Sequence, residues 1–338
     1  MASTSAPLPS PPQSSRTPRA SSSSPAAART QISTDTTARG TSFRPPRFIR
    51  VLFDRFPIYI YPTDPVPMTA REFQTTLSKQ PKDDIYGTNT LYVFSLPGDA
   101  QNCAPSFNPG CLKWQTYLKI RGVGFCIESS SNHASPTGSL PFLIAEAAPI
   151  AGSSERHLPK TIPVSKLAQW VEDNAPGSVN QTNPDTPDYR AFTSLIDTSI
   201  RQAWLYALYI DSTNFKAQTK PRYTYSTPIW PVNYFLGLQM RQAALDNLKI
   251  NTEVSKITGR MIYLRAKEAW AALGALLGGQ KWFFGAQDAG IFDASVFAYT
   301  HLILNQDLEG SGQDLRAGLE THANLVNHER RIRSTWFG

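Results

Sequence analysis

Leu140-Pro141-Phe142-Leu143-Ile144 is the stretch on which the fold turns. All five residues are apolar, and they follow a Ser135-Pro136-Thr137-Gly138 turn. A short apolar run bounded by turn residues reads as a buried strand. This one opens on a proline, which has no N–H for a ladder and so suits the first position of a strand. Working upstream, Phe125-Cys126-Ile127 is a second short strand, and Thr90-Leu91-Tyr92-Val93-Phe94 is the first, ended by Pro97-Gly98. Between them Asn108 caps a helix with Pro109 in its first turn. Leu112, Tyr117, Leu118 and Ile120 run along that helix and Gly122 stops it. Downstream, Val164 to Asp173 forms a helix with Leu167, Trp170 and Val171 on one face.

A Pro/Gly/Asn-rich linker, 176–187, separates this half from a helical one. Phe192, Leu195, Ile196, Ile200, Ala203, Trp204, Ala207 and Leu208 follow helical spacing. Further helices are expected at 232–248, at 253–277 with Val254, Ile257, Met261 and Leu264 in step, at 291–304, and from about Leu315. Residues 212–231, with an aromatic, proline-containing insertion from Phe215 to Trp230, read as a long loop. Loops of that length tend to be functional, so Tyr223 and Trp230 are expected to touch a partner.

The formal net charge of +7 resides largely in a tail. Residues 1–50 hold seven arginines against one acid, Asp35, which leaves the rest near neutral and implies no nucleic-acid-binding fold. Residues 1–45 are rich in Ser, Thr, Pro, Ala and Arg, too polar to bury a core, and are expected to be disordered. The composition matches a mitochondrial presequence, while prolines at 7, 9, 11, 12 and 18 argue against the helix a presequence needs. Residues 46–88 form an extension; its part 46–65, apolar and broken by prolines, docks either on the chain's own C-terminal part or on a partner, with Phe56 and Tyr59 as contacts. The remaining boundaries are 89–180 for a mixed α/β domain and 186–338 for an all-helical one. Cys103, Cys111 and Cys126 form no C-x-x-C pair and the five histidines are scattered, so no metal site is expected. No apolar run spans a membrane, and the first residues lack the apolar core of a secretory signal.

A proline opening the third strand after β-α-β is similar to the thioredoxin fold, where the Xaa-Pro bond is cis and the backbone beside it faces a ligand groove. Leu140-Pro141 occupies that place. A thioredoxin-like half followed by an all-helical half resembles the glutathione-transferase-like fold, α/β plus all-α. Within the helical half, Gly290-Ile291-Phe292-Asp293 resembles the family's capping box, with Asp293 as the acid and Gly290 in place of the usual Ser or Thr.

Three stretches carry a closer resemblance, to the metaxin family: 108–118, which begins Asn108-Pro109-Gly110-Cys111; 129–143, which ends Leu140-Pro141-Phe142-Leu143; and 323–332, which includes Asn327-His328-Glu329-Arg330. The resemblance covers about 90–338. Residues 55–62 further resemble the leader of the smaller metaxin-like subunit of the fungal sorting and assembly machinery (SAM complex). This implies a subunit on the cytosolic face of the mitochondrial outer membrane, peripheral to the bilayer. It would cap the β-barrel core subunit of the SAM complex beside a second metaxin-like subunit, and help recognise and insert β-barrel precursor proteins.

Transferase chemistry, the alternative, needs a hydroxyl or thiol near the first helix start, where the helix dipole and a donor lower the pKa of a bound thiol. Ser95, Cys103 and Ser106 are the candidates. By resemblance the γ-glutamyl group is held by an acid–Ser pair opening the helix after the sheet. Here Val164-Ser165 stands there: the serine is kept and the acid is absent, and an apolar side chain cannot pair an ammonium group. Glu172 lies two turns further along. No catalytic residue, cofactor or metal is therefore expected. Ser106, Pro141 and Ser165 remain as vestigial groove residues, with Gly290, Asp293 and Pro141 as structural ones. A soluble transferase-like scaffold is the further alternative.

Overall fold

The computed structural model describes residues 89–145, 159–176, 186–225, 229–250 and 259–338. The expected tail and docking extension, with Phe56 and Tyr59, lie outside the described residues.

The first half runs β1 (Asn89–Val93), α1 (Pro109–Ile120), β2 (Phe125–Ser129), β3 (Phe142–Ala145), β4 (Lys160–Pro163) and α2 (Val164–Asn174). The strands lie in the order β2-β1-β3-β4. β1 and β2 are parallel, so α1 is the crossover that parallel pairing requires. β3 runs antiparallel to β1, with Leu143 opposite Leu91, and β4 antiparallel to β3, with Ile162 opposite Leu143. Alternation sends Leu91, Val93, Leu143, Ala145 and Ile162 to one face. There they pack on Cys111, Trp114 and Leu118 of α1 and Leu167 and Val171 of α2. The α1 start follows its sequence: Asn108 accepts from the Cys111 N–H at 3.1 Å, and Pro109 fills a position that has no intrahelical donor to lose.

The second half is helical. Thr186 caps α3 (187–210), and two wide, π-type turns at Ile196–Ile200 and Tyr206–Ile210 interrupt its regular spacing. Then come α4 (212–223), α5 (Val232–Ile250), α6 (Gly259–Leu277), α7 (Ile291–Asn305), α8 (Ser311–Glu320) and α9 (Ala323–Trp336). Trp270, Leu273, Phe283 and Phe297 are fully buried at the centre. The helix α7 joins the halves, since its Ile291 and Ala294 belong to the sheet-side core while Leu112 of α1 belongs to the helical core. This is the thioredoxin-like strand order followed by an all-helical half, the glutathione-transferase-like fold.

Four expectations change. β4 is an unforeseen strand. The stretch 212–223 is helix rather than loop: the Asp211 carboxylate accepts from the Thr213 and Asn214 N–H groups and starts a turn that continues to Tyr223. In α6 the buried stripe is Ile262, Ala266, Ala269, Leu273 and Leu277, whereas Met261 and Leu264 face outward. Both sets repeat at helical spacing, and the one carrying alanines lets neighbouring helices approach. The last helix is two, α8 and α9, broken at Thr321-His322.

Candidate binding groove

Where the halves meet, a groove of about 470 Å³ opens between the start of α1, the β3 turn and the helices α3 and α7. Its walls include Asn108, Lys113 and Trp114 of the first half, with Leu140, Pro141 and Val164 beside them. The helical half contributes Tyr189, Asp197, Arg201, Trp204, Tyr209 and Tyr299. The Leu140–Pro141 bond is cis. Burial lowers the Lys113 pKa and Asp197 opposes that shift. Burial raises the phenol pKa of Tyr299, with Arg201 opposing. The groove thus pairs aromatic walls with two cations and one carboxylate, a lining suited to binding.

Of the three vestigial residues only Pro141 lines the groove. Ser106 is fully buried and donates its hydroxyl to the Phe94 carbonyl, while its N–H bonds Gln115 Oε1 at 2.9 Å. Ser165 is exposed in the first turn of α2. The other thiol-activating candidates are placed elsewhere: Ser95 donates to its neighbour's carbonyl, and Cys103 is exposed at positive φ. Cys111 sits in the first turn of α1, where the dipole favours a thiolate, yet desolvation dominates and pushes its pKa up to about 12. Glu172 cannot stand in for the missing acid. Its carboxylate accepts from the Tyr117 hydroxyl and pairs with Arg121 at 3.0 Å.

Two of the groove-lining residues are engaged within the chain. The Leu140 N–H bonds Asn132 Oδ1 at 3.0 Å. Asn108 Nδ2 donates to the Tyr223 hydroxyl at 2.8 Å, and the Tyr223 ring meets Phe94 and Phe107 edge-on at 5.0 Å each. Tyr225 reaches Ser129 from the same segment. Tyr223, expected to touch a partner, is half-buried at the end of α4 and held by this aromatic packing. Trp230 is 70 % exposed.

Asp293, 2 % exposed, gathers three donors: the Gly290 N–H at 2.9 Å, the Phe283 N–H at 3.1 Å and His328 Nε2 at 2.9 Å. It holds the start of α7, the turn before it and α9 together. Gly290 contributes no side-chain acceptor, so only the acid arm of the box exists. The pairing with His328 had no signal in the sequence. Among the described residues no cluster of His, Cys, Asp and Glu could hold a metal ion.

A family model described as an outer mitochondrial membrane transport complex protein matches residues 111–241, and one for the glutathione S-transferase C-terminal domain matches 266–332. Metaxin-1 of Mus musculus is 26 % identical over 239 residues, 69 % of this chain and 71 % of the relative. The chain resembles the metaxins. Metaxin-3 of Xenopus laevis is 25 % identical over 240 residues, covering 69 % of this chain and 73 % of the relative. The mitochondrial outer membrane import complex protein METAXIN of Arabidopsis thaliana is 23 % identical over 242 residues, 71 % and 69 % of the two chains. Among solved structures, glutathione S-transferase III in apo form matches with a TM-score of 0.39 at 12 % identity, over 73 % of this chain and 92 % of that one. Glutathione transferase Omega 2S from Trametes versicolor gives 0.40 at 14 % identity, over 73 % and 88 %.

Proposed function

We propose that this chain is a non-catalytic subunit of the mitochondrial outer-membrane import machinery. It lies peripherally on the cytosolic face, caps the β-barrel core subunit of the sorting and assembly machinery beside a second metaxin-like subunit, and helps recognise and insert β-barrel precursors. The family model and the relatives' names support the import-complex part. Among the described residues no helix is long and apolar enough to cross a membrane, which fits peripheral attachment.

The observation that carries the non-catalytic part is the contact of Tyr223 with Asn108 at the α1 start. A transferase needs that end open, with a donor aimed at the sulfur of bound glutathione. Here the chain's own Tyr223 hydroxyl meets Asn108, and Val164 stands where an acid would hold the ligand's ammonium group. A tagged chain isolated from mitochondria in mild detergent should bring down a β-barrel membrane subunit, and alkaline carbonate should release the chain from the membranes. Isolation without a membrane subunit overturns the reading. Retention on immobilised glutathione, lost with Ser106→Ala or Ser165→Ala, would favour a transferase instead.

A further inference from the structure

The groove between the halves holds more hydrogen-bond donors than the chain uses. Lys113 of α1 and Arg201 of α3 both line it. The Lys113 ammonium lies 5.5 Å from the centre of the Trp114 ring and has no hydrogen bond or ion pair among the described residues. Arg201 makes one long contact, 3.4 Å from Nη2 to Asn247 Oδ1, which leaves most of its N–H groups without an acceptor. Tyr299 of α7, in the same wall, is 9 % exposed, and its hydroxyl bonds nothing among the described residues. The Arg201 charge acts on that phenol and opposes the rise that burial causes, so the two groups are neighbours. Donors gathered in a half-buried space without acceptors cost free energy until something accepts from them. Water accepts hydrogen bonds but brings no charge. Burial disfavours the Lys113 ammonium, and a bound anion would offset that cost.

The charges in the lining select the ligand's charge. Two of the lining residues are cations and one, Asp197, is a carboxylate. Asp197 is exposed, whereas Lys113 and Arg201 are half-buried. It acts on Lys113 through its charge and bonds neither cation among the described residues. One positive charge is left over, which a monoanion balances. A guanidinium fork matches the two oxygens of a carboxylate. The walls select the rest of the ligand. Trp114 and Trp204 are buried and line the groove beside Tyr299, so the apolar part meets rings, which favour a second ring stacked or edge-on. A volume of about 470 Å³ is of the size that takes one small organic molecule. Asn108 is not among the free donors, because its Nδ2 is taken by Tyr223.

We propose that the groove binds a small aromatic monocarboxylate, its oxygens held by Arg201, Lys113 and the Tyr299 hydroxyl and its ring set against Trp114 and Trp204. The proposal goes beyond the import reading and stands whether or not the chain isolates with a membrane subunit, so the two fail separately. The test is calorimetric titration of the purified full chain with 1-naphthoate, and with 1-naphthamide as an uncharged molecule of the same shape. Wild type should take up naphthoate saturably, one per chain, and bind the amide about tenfold more weakly or less. Arg201→Met and Lys113→Met should each weaken naphthoate about tenfold and leave the amide unchanged, which separates loss of charge from loss of the groove. No saturable binding of naphthoate, equal binding of acid and amide, or unchanged naphthoate affinity in either variant overturns the proposal. Should a variant fail to fold, the comparison of acid with amide on wild type decides. Millimolar glutathione should leave naphthoate in place; displacement would return the groove to glutathione and overturn the assignment.

Discussion

At the scale of single residues, Asp293 matters most to the stability of the helical half. Its carboxylate serves two backbone N–H groups and a buried imidazole, so its removal leaves buried donors without an acceptor. Asp293→Ala should destabilise the protein by about 3 kcal/mol, with Asp293→Asn losing less because one oxygen remains; equilibrium denaturation measures both. The acid was legible because Gly290-Ile291-Phe292-Asp293 resembles the transferase family's capping box. Its partner His328 was not, because a contact across 35 positions leaves no local pattern. The three cysteines differ in the same physical way. Cys103 and Cys126 are exposed, while Cys111 is fully buried with its thiol pKa pushed up to about 12. A chromogenic disulfide at neutral pH should therefore titrate two thiols in the native protein and the third only on unfolding. Three titratable thiols under native conditions would contradict the packing of α1.

At the scale of elements, the segment α4 sets how the groove differs from an open one. Asn108 both caps α1 and donates to Tyr223, so the two residues should couple. Tyr223→Phe should cost about 1 kcal/mol and Asn108→Ala about 2, with a double-mutant cycle showing clear non-additivity. Additive losses would mean the contact does not hold the segment. The sequence hid α4 because Pro221 and a run of aromatic residues look like a loop, while the signal that starts the helix is the single Asp211. It hid β4 because Lys160-Thr161-Ile162-Pro163 has one apolar residue to bury. The elements β1, α1, β2, β3 and α2 were legible because a cap, a glycine or a proline marks an end of each. In α6 the period was readable and the phase was not. Ile262→Ala should cost about 2–4 kcal/mol and Leu264→Ala almost nothing, since one side chain is buried and the other faces water.

At the scale of the molecule, the order of elements came from punctuation in the sequence, whereas the state of the groove came from contacts between its halves. Pro141 and Val164 line the same groove, as their places in the chain implied. Ser106 turned inward to Phe94 and Ser165 outward to solvent, choices that depend on tertiary packing rather than on spacing. The result is a transferase-like fold in which Tyr223 bonds Asn108, the residue that caps α1, and an apolar residue, Val164, lines the groove. The most direct measurement is a calorimetric titration of glutathione into the purified full chain. The account predicts no saturable heat up to millimolar glutathione; saturable binding in the micromolar range, weakened by Ser165→Ala, would contradict it.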